Sequence, residues 1–345
     1  MTSRIGELLL YCKTRDFGKV KLSKRESAFY RRFSNEILSL CRSLPESVQT
    51  DSILFLMQYS GVHPGNELDF FAKYYPPVWS ILYWLGHGCA FPTKRLTAGD
   101  VANTVTAQSM AMFLHSLDDH LTDSQVSVSL LSLLLRSQAW TIMNRAFRNL
   151  AAGVPAGERI ARGFIDDYYS SIQGLRGLKS LDRYCDLFRR QMAIGMIAPI
   201  LLSMKMTGST RFTRDIEIAY GSFGIAWRLL DDIRDIGSDL EKGSRSAIYF
   251  CLPGKARTLW KNNTHRSRAA AKDSTNAILN HVLDYRLIDK IKERICAELE
   301  TATSIVEAHS MAGLAREFRC LAYPLANSST EERGNGKPGI SPEAM

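Results

Sequence analysis

Apolar residues recur at three-and-four spacing along most of the chain, and that period predicts helices. The predicted helices cover residues 26–43, 47–60, 66–87, 97–122, 124–150, 156–174, 179–207, 211–236, 246–253, 273–285 and 287–323. Strand signals are nearly absent, because no Asn-Gly or Asp-Gly pair stands between alternating segments. Several of the predicted helices are apolar on more than one face. The run from Met192 to Met206 contains AIGMIAPILLSM and is apolar all round, which puts it inside a bundle rather than on its surface. The predicted fold class is all-α, with one domain over 41–325.

The ends of the chain read differently. Residues 1–40 form a basic segment in which Lys13, Arg15, Lys19, Lys21, Lys24, Arg25, Arg31 and Arg32 are opposed only by Asp16 and Glu26 in the same stretch. Residues 326–345 are polar and rich in Gly and Pro, the composition of a disordered tail. A second basic stretch, Lys261 to Lys272, reads as a loop between helices.

Charge and cysteines narrow the class of protein. Lys and Arg number 44 against 35 Asp and Glu, a formal net charge of +9 that suits an anionic partner. No nucleic-acid module is present, so a phosphorylated small molecule fits better than DNA or RNA. The seven cysteines are scattered without a CxxC pair, which indicates neither a zinc site nor a disulfide framework and points to a reducing, cytoplasmic setting. No run of about 18 apolar residues occurs, so no transmembrane helix is expected.

The candidate chemistry lies in two acidic clusters. The first is Asp118-Asp119-His120-Leu121-Thr122-Asp123, at the end of an apolar helix. Asp119 and Asp123 are four residues apart and share a helix face. The second is Asp231-Asp232-Ile233-Arg234-Asp235, followed by Asp239, so that Asp231, Asp235 and Asp239 step by four. Like charges at this spacing repel by roughly 0.2–0.5 kcal/mol per pair even in water. Beside apolar stretches the cost is greater, because a desolvated carboxylate requires a cation. A hard divalent cation meets that need, and Mg²⁺ is held typically by one or two carboxylates together with substrate phosphates. The expected metal ligands are Asp118, Asp119, Asp123, Asp231, Asp235 and Asp239, around as many as three Mg²⁺ ions and a diphosphate. Of these, Asp118, Asp119, Asp231 and Asp235 are expected to carry the catalysis. Arg189, Arg190, Lys242 and Arg245 are candidate cations for diphosphate oxygens.

At these residues the sequence resembles the trans-isoprenyl diphosphate synthase superfamily, the polyprenyl-synthetase branch of the class I terpenoid synthases. The resemblance spans roughly residues 40–323. The family's DDxxD or DDxxxxD is here Asp118 to Asp123, an intermediate DDxxxD form. Its GxxFQxxDDxxD is matched by Gly224 to Asp235, with Trp227 and Arg228 in place of Phe and Gln. Its KDLxxGKxT is echoed by Ser238 to Ser246, and a GQxxD element by Gly163 to Asp167. The second cluster is also similar to the NxxRDVGxD segment of squalene and phytoene synthases. The resemblance implies a helical bundle with two aspartate-rich helices facing a central cavity, a prenyl diphosphate substrate and a homodimer. It adds Arg228 to the diphosphate-binding candidates.

The departures bear on function. GGKxxRP reads Phe71-Ala72-Lys73-Tyr74-Tyr75-Pro76-Pro77, which keeps the lysine and loses the arginine. The family's paired arginines are missing from residues 124–136, and its central KT pair is Gln191-Met192. With that countercharge gone, binding of a second diphosphate is disfavoured. The leading expectation is therefore a terpene synthase that ionises and cyclises one prenyl diphosphate, with prenyl transfer to isopentenyl diphosphate or a small acceptor as the alternative. An allylic cation needs a dry aromatic pocket, for which Trp79, Tyr83, Trp84, Phe113, Phe188 and Trp227 are the candidates.

Overall fold

Sixteen helices and no strand occur among the residues that the computed structural model describes, which are 4–62, 66, 69–89, 95–172, 177–262 and 268–327. Three of these helices form the centre: α5 (Ala98–Thr122), α9 (Ala193–Thr207) and α10 (Thr210–Arg234). Almost every side chain of α9 is buried, as its all-round apolar sequence requires. Each fully buried Leu, Ile or Met on it contributes about 1.5–3 kcal/mol by leaving water. Helix α5 packs on α6 (Leu130–Ala151) and α9, and α10 packs on α9 and α15 (Leu287–Ala308).

The two long helices that end in aspartates have well-fixed starts. Thr97 opens α5 with a capping box: its hydroxyl accepts the Asp100 amide at 3.1 Å, and the Asp100 carboxylate accepts the Thr97 amide at 2.9 Å. Asp100 also meets Lys205 of α9 at 2.5 Å, which ties that start to the central helix. Ser209 caps α10 by accepting the Phe212 amide at 3.2 Å. Starts fixed in this way set where the acidic ends emerge, because a helix rises by about 1.5 Å per residue.

The remaining helices wrap this centre. α1 (Arg4–Thr14), α2 (Lys24–Arg42), α3 (Glu46–Ser60) and α4 (Pro77–Gly88) precede α5. α7 (Gly157–Ile172) and α8 (Leu181–Gln191) lie between α6 and α9, and α11 (Ile236–Lys242) to α14 (Arg268–Asp284) link α10 to α15. α16 (Ala312–Asn327) closes the chain against α15 and α4. Among the described residues, no single helix is long and apolar enough to cross a membrane.

Several predicted boundaries are corrected. The helix expected over 66–87 begins only at Pro77, because the paired prolines Pro76 and Pro77 start a helix more readily than they continue one. The helix expected over 124–150 begins at Leu130 after a Ser129 cap. The run 179–207 is two helices meeting at Met192 with a bend of 65°, where the Gly195 amide reaches back only three residues to the Met192 carbonyl. Gly224 allows this corner to sit close against α10, since a Cβ there would meet Met192 Cγ at 3.3 Å. The run 287–323 breaks between His309 and Met311. Helices α1, α11 and α13 (Gly254–Asn262) were not predicted, being short or mainly polar. The basic N-terminal segment joins the bundle: α1 packs on α10 and α14, and α2 on α5. Of the expected loop 261–272, residues 263–267 lie outside the described residues, as does the tail beyond Asn327.

The contact of α4 with α16 gives a stability test. The Trp84 indole N–H donates to Glu317 at 2.7 Å, and a Cβ on Gly313 would lie 2.0 Å from the ring. The ring cannot swing aside without losing that bond. Gly313→Ala is expected to destabilise the protein by about 1–3 kcal/mol through overpacking. A melting temperature equal to the wild type would show that this contact is not close.

Candidate active site

The acidic ends of α5 and α10 open into one cavity of about 560 Å³. On the α5 side, His115, Ser116, Asp118, Asp119, His120, Thr122 and Asp123 line it. The Asp123 amide still bonds the Asp119 carbonyl at 2.9 Å, so the helical turn continues and the two carboxylates stay on one face. On the other side are Trp227, Arg228 and Asp231 of α10, Asp239 of α11, and Ser244 and Arg245 just beyond. The Asp239 amide bonds the Asp235 carbonyl at 2.8 Å, which carries the helical path across the α10–α11 junction. The predicted facing of the two clusters is therefore observed. Asp235 caps that junction, exposed and outside the cavity lining, but near enough for its charge to act on Asp231 and Asp239.

The carboxylates divide into two kinds. Asp118 is held by Arg136 of α6 through two bonds, Nε to Oδ1 at 2.6 Å and a terminal nitrogen to Oδ2 at 3.0 Å. The Tyr168 hydroxyl of α7 adds a third bond at 3.2 Å. The Asp118 bonds hold Arg136 above its ordinary range. Asp232 is only 2 % exposed and accepts the Tyr184 hydroxyl at 2.7 Å and the Ala247 amide at 2.7 Å, with Arg228 Nε at 3.0 Å. Both aspartates are thus neutralised by an arginine and a tyrosine.

Asp231 and Asp239 lack such neutralisation. Asp231 makes a long ion pair with Arg234, at 3.8 Å. Burial pushes Asp231 up to about 7, and neighbouring Asp232 and Asp235 add to the rise. Burial likewise pushes Asp239 up to about 7, with Asp232 the next cause. Desolvated carboxylates of this kind are the donor set that a hard cation fits. Among the described residues, no three His, Cys, Asp or Glu side chains form a ready-made metal cage.

The predicted cations part company. Arg245 and Arg228 line the cavity. Arg228 lies between Asp232, the Tyr184 hydroxyl at 2.7 Å and the Phe188 ring, whose centroid is 5.6 Å away. Arg189 lines a different, more open cavity of about 760 Å³ with Arg159, Arg214 and Glu217, and pairs with Asp186 at 3.0 Å. Arg190 and Lys242 are exposed and outside the lining. The expectation that all five share one site is corrected: successive side chains of α8 point about 100° apart, so Phe188 and Gln191 reach this cavity while Arg189 and Arg190 do not.

The aromatic expectation is also corrected. Phe188 and Trp227 line the cavity, but Trp79, Tyr83 and Trp84 do not. Trp79 is buried among Phe29, Tyr30 and Phe33, and Tyr83 stacks on His87 at 4.3 Å. Phe113 is fully buried behind Phe70. The walls that sequence reasoning missed are Tyr59, Phe70, Tyr74, Tyr168 and Tyr184, with His115, while Lys73, the lysine kept from the GGKxxRP element, also lines the cavity. His115 had a legible signal, since it lies four residues before Asp119 on the same face. Burial lowers its pKa, so the imidazole is neutral. The tyrosines come from elements distant in sequence and carry no local signal.

No family model matches the sequence, and no curated protein matches it. Solved structures do. The geranylgeranyl pyrophosphate synthase of Corynebacterium glutamicum is 14% identical, and the match covers 96% of this chain and 100% of that one with a TM-score of 0.59. A structure of that organism's enzyme complexed with calcium and isoprenyl diphosphate matches over 91% of this chain and 99% of its own, with 14% identity and a TM-score of 0.62. The heptaprenyl diphosphate synthase of Staphylococcus aureus is 11% identical over 88% of this chain and 99% of its own, with a TM-score of 0.62. The chain has the all-helical fold of the trans-isoprenyl diphosphate synthases.

The raised carboxylates contribute to the pH dependence of the metal-free protein, together with Glu317 on α16, which burial also pushes up to about 7. The folded values of the two aspartates, about 7, exceed the value of about 3.9 for an unfolded aspartate, so the folded state keeps protons that the unfolded state has released. Stability therefore falls as pH rises from about 4 through about 7. In EDTA the melting temperature is expected to drop between about pH 5 and about pH 8, and Asp231→Asn with Asp239→Asn is expected to flatten that drop. An equal drop in the double variant would contradict this assignment.

Proposed function

We infer that the chain is a divalent-metal-dependent prenyltransferase that ionises a prenyl diphosphate and joins its prenyl group to an acceptor. One observation carries this reading: two carboxylate-bearing helix ends line a single cavity, in a fold shared over nearly the whole chain with prenyl diphosphate synthases. Mg²⁺ would be held between the two acidic clusters, the first within residues 118–123 and the second within residues 231–239. Bound there, Mg²⁺ supplies Lewis-acid stabilisation of the departing diphosphate.

The chain's own groups account for the rest. Arg245 and Lys73, both in the cavity lining, donate to diphosphate oxygens. Arg228 is held charged by Asp232 and Tyr184 although burial opposes it, and it adds positive potential beside the leaving group. Trp227 and Phe188 offer ring faces to an allylic cation. Trp227 is itself braced edge-on by Tyr74 and Tyr75, with centroids 5.6 Å away in each case. These rings and Ile172 and Met192 exclude the water that would quench the cation. Neutral His115 has a lone pair available for the proton lost when the new bond forms.

Transfer is preferred here to the cyclisation expected from sequence. The sequence lacked several cations at aligned positions, yet Lys73, Arg228 and Arg245 all border the cavity and can serve an anionic acceptor. Cyclisation remains the second reading, favoured by Gln191: where the family has a lysine, its amide is turned to the Ser171 carbonyl at 3.4 Å.

The test is incubation of the purified protein and Mg²⁺ with prenyl diphosphates of several chain lengths, with and without labelled isopentenyl diphosphate. Transfer predicts label in a longer prenyl diphosphate. Label-free release of diphosphate with a hydrocarbon or alcohol would replace it with the cyclase reading. Turnover that survives EDTA, or survives in both Asp119→Asn and Asp231→Asn, would remove the metal-dependent mechanism altogether. Arg245→Ala is expected to weaken inhibition by inorganic diphosphate by about tenfold, the loss of one charged hydrogen bond. An unchanged inhibition constant would exclude Arg245 from the diphosphate site.

A further inference from the structure

The first acidic motif offers three carboxylates, but they are not equivalent. Residues of an α-helix advance by about 100° each, so Asp119 and Asp123, four apart, share a face, and His115 lies on the same face one turn earlier. Asp118 is one step of about 100° away, toward α6 and α7. A partner for Asp118 on its own face would sit at 114, 115, 121 or 122, where the chain has Leu114, His115, Leu121 and Thr122. Asp118 has no carboxylate with which to chelate from α5.

Its oxygens are also committed elsewhere. Oδ1 accepts Arg136 Nε at 2.6 Å, and Oδ2 accepts both an Arg136 terminal nitrogen at 3.0 Å and the Tyr168 hydroxyl at 3.2 Å. The carboxylate is 10% exposed, whereas Asp119 and Asp123 are exposed residues. Arg136 is fixed in turn by the Tyr169 hydroxyl at 3.3 Å. A bidentate arginine pair is the strongest kind of side-chain hydrogen bonding, and withdrawing one partner strands a largely buried charge.

We propose that the first acidic helix ligates metal through Asp119 and Asp123 alone. Asp118 is then a positioning residue: Arg136 and Tyr168 grip it to fix the helix end that presents the two ligands. This rests on the metal-dependent reading above and divides its residues differently from the motif, in which the leading aspartate counts as a ligand.

The experiment measures Mn²⁺ binding by electron paramagnetic resonance in the presence of inorganic diphosphate, alongside the melting temperature. Asp119→Asn and Asp123→Asn are each expected to weaken Mn²⁺ binding by at least about tenfold with little change in melting temperature. Asp118→Asn is expected to lower the melting temperature and leave Mn²⁺ affinity within about threefold of wild type. Asp118→Asn with Arg136→Gln removes both partners, avoids an unpaired buried cation, and is expected to keep the same affinity. A tenfold loss in either Asp118 variant, or no loss in Asp123→Asn, would overturn the proposal while leaving the metal-dependent reading intact. Wild-type protein that binds no Mn²⁺ with diphosphate present would overturn both.

Discussion

Carboxylates drawn into an apolar bundle need counter-ions, and the centre of this protein is arranged around that constraint. α5 and α10 are apolar for most of their length because they form the core, and each ends in a pair of adjacent aspartates. Adjacent residues on a helix point about 100° apart. Within each pair, therefore, one aspartate is open to the cavity, while the other, Asp118 in the cavity wall or Asp232 in the interior, has its carboxylate bonded to neighbouring side chains. The bonded member is answered in the same manner on both sides. Asp118 meets Arg136 and Tyr168, and Asp232 meets Arg228 and Tyr184.

This arrangement lets like charges coexist. The four partners come from α6, α7, α8 and α10, so each aspartate binds its helix end to other parts of the bundle as well as being neutralised. What remains is a smaller set of carboxylates that no arginine grips directly, Asp231 having a 3.8 Å contact with Arg234, and it is this set that burial makes unstable in ionised form. Asp231 and Asp239 are raised to about 7 for that reason. The protein stabilises the shape of the site and leaves its charge uncompensated, which is the state that a divalent cation and an anionic substrate complete together.

The N-terminal segment also reaches this region. Asp16 accepts the Tyr75 hydroxyl at 2.5 Å, and Arg234 lies within 3.9 Å of Asp16 and 3.8 Å of Asp231. Phe17 is buried edge-on against Tyr75 at 4.7 Å, and Tyr75 braces Trp227. A stretch that in sequence is marked chiefly by its basic residues thus supports both an aromatic wall of the cavity and the second acidic helix. Its basic residues are mostly exposed, and its few apolar and acidic ones make these contacts.

The sequence by itself determined the helical class, the two acidic helix ends and the shared face of Asp119 and Asp123. These follow from local spacing, and an α-helix converts spacing into direction without outside help. It also determined that α9 is central, because a helix apolar all round has no other stable position. It did not determine which aspartates are compensated, since Arg136 and Tyr168 lie 18 and 50 residues beyond Asp118. Nor did it determine the cavity wall: Trp79 and Trp84 were as aromatic as Trp227, and only packing put Trp227 at the cavity and the other two elsewhere. The turn of α8 put Arg189 and Phe188 on different faces, but which of those faces meets the cavity depended on how α8 packs. Direction within a helix is a local property, but which helix faces which is set by the packing of the whole core, and the countercharges were therefore decided only by the tertiary structure.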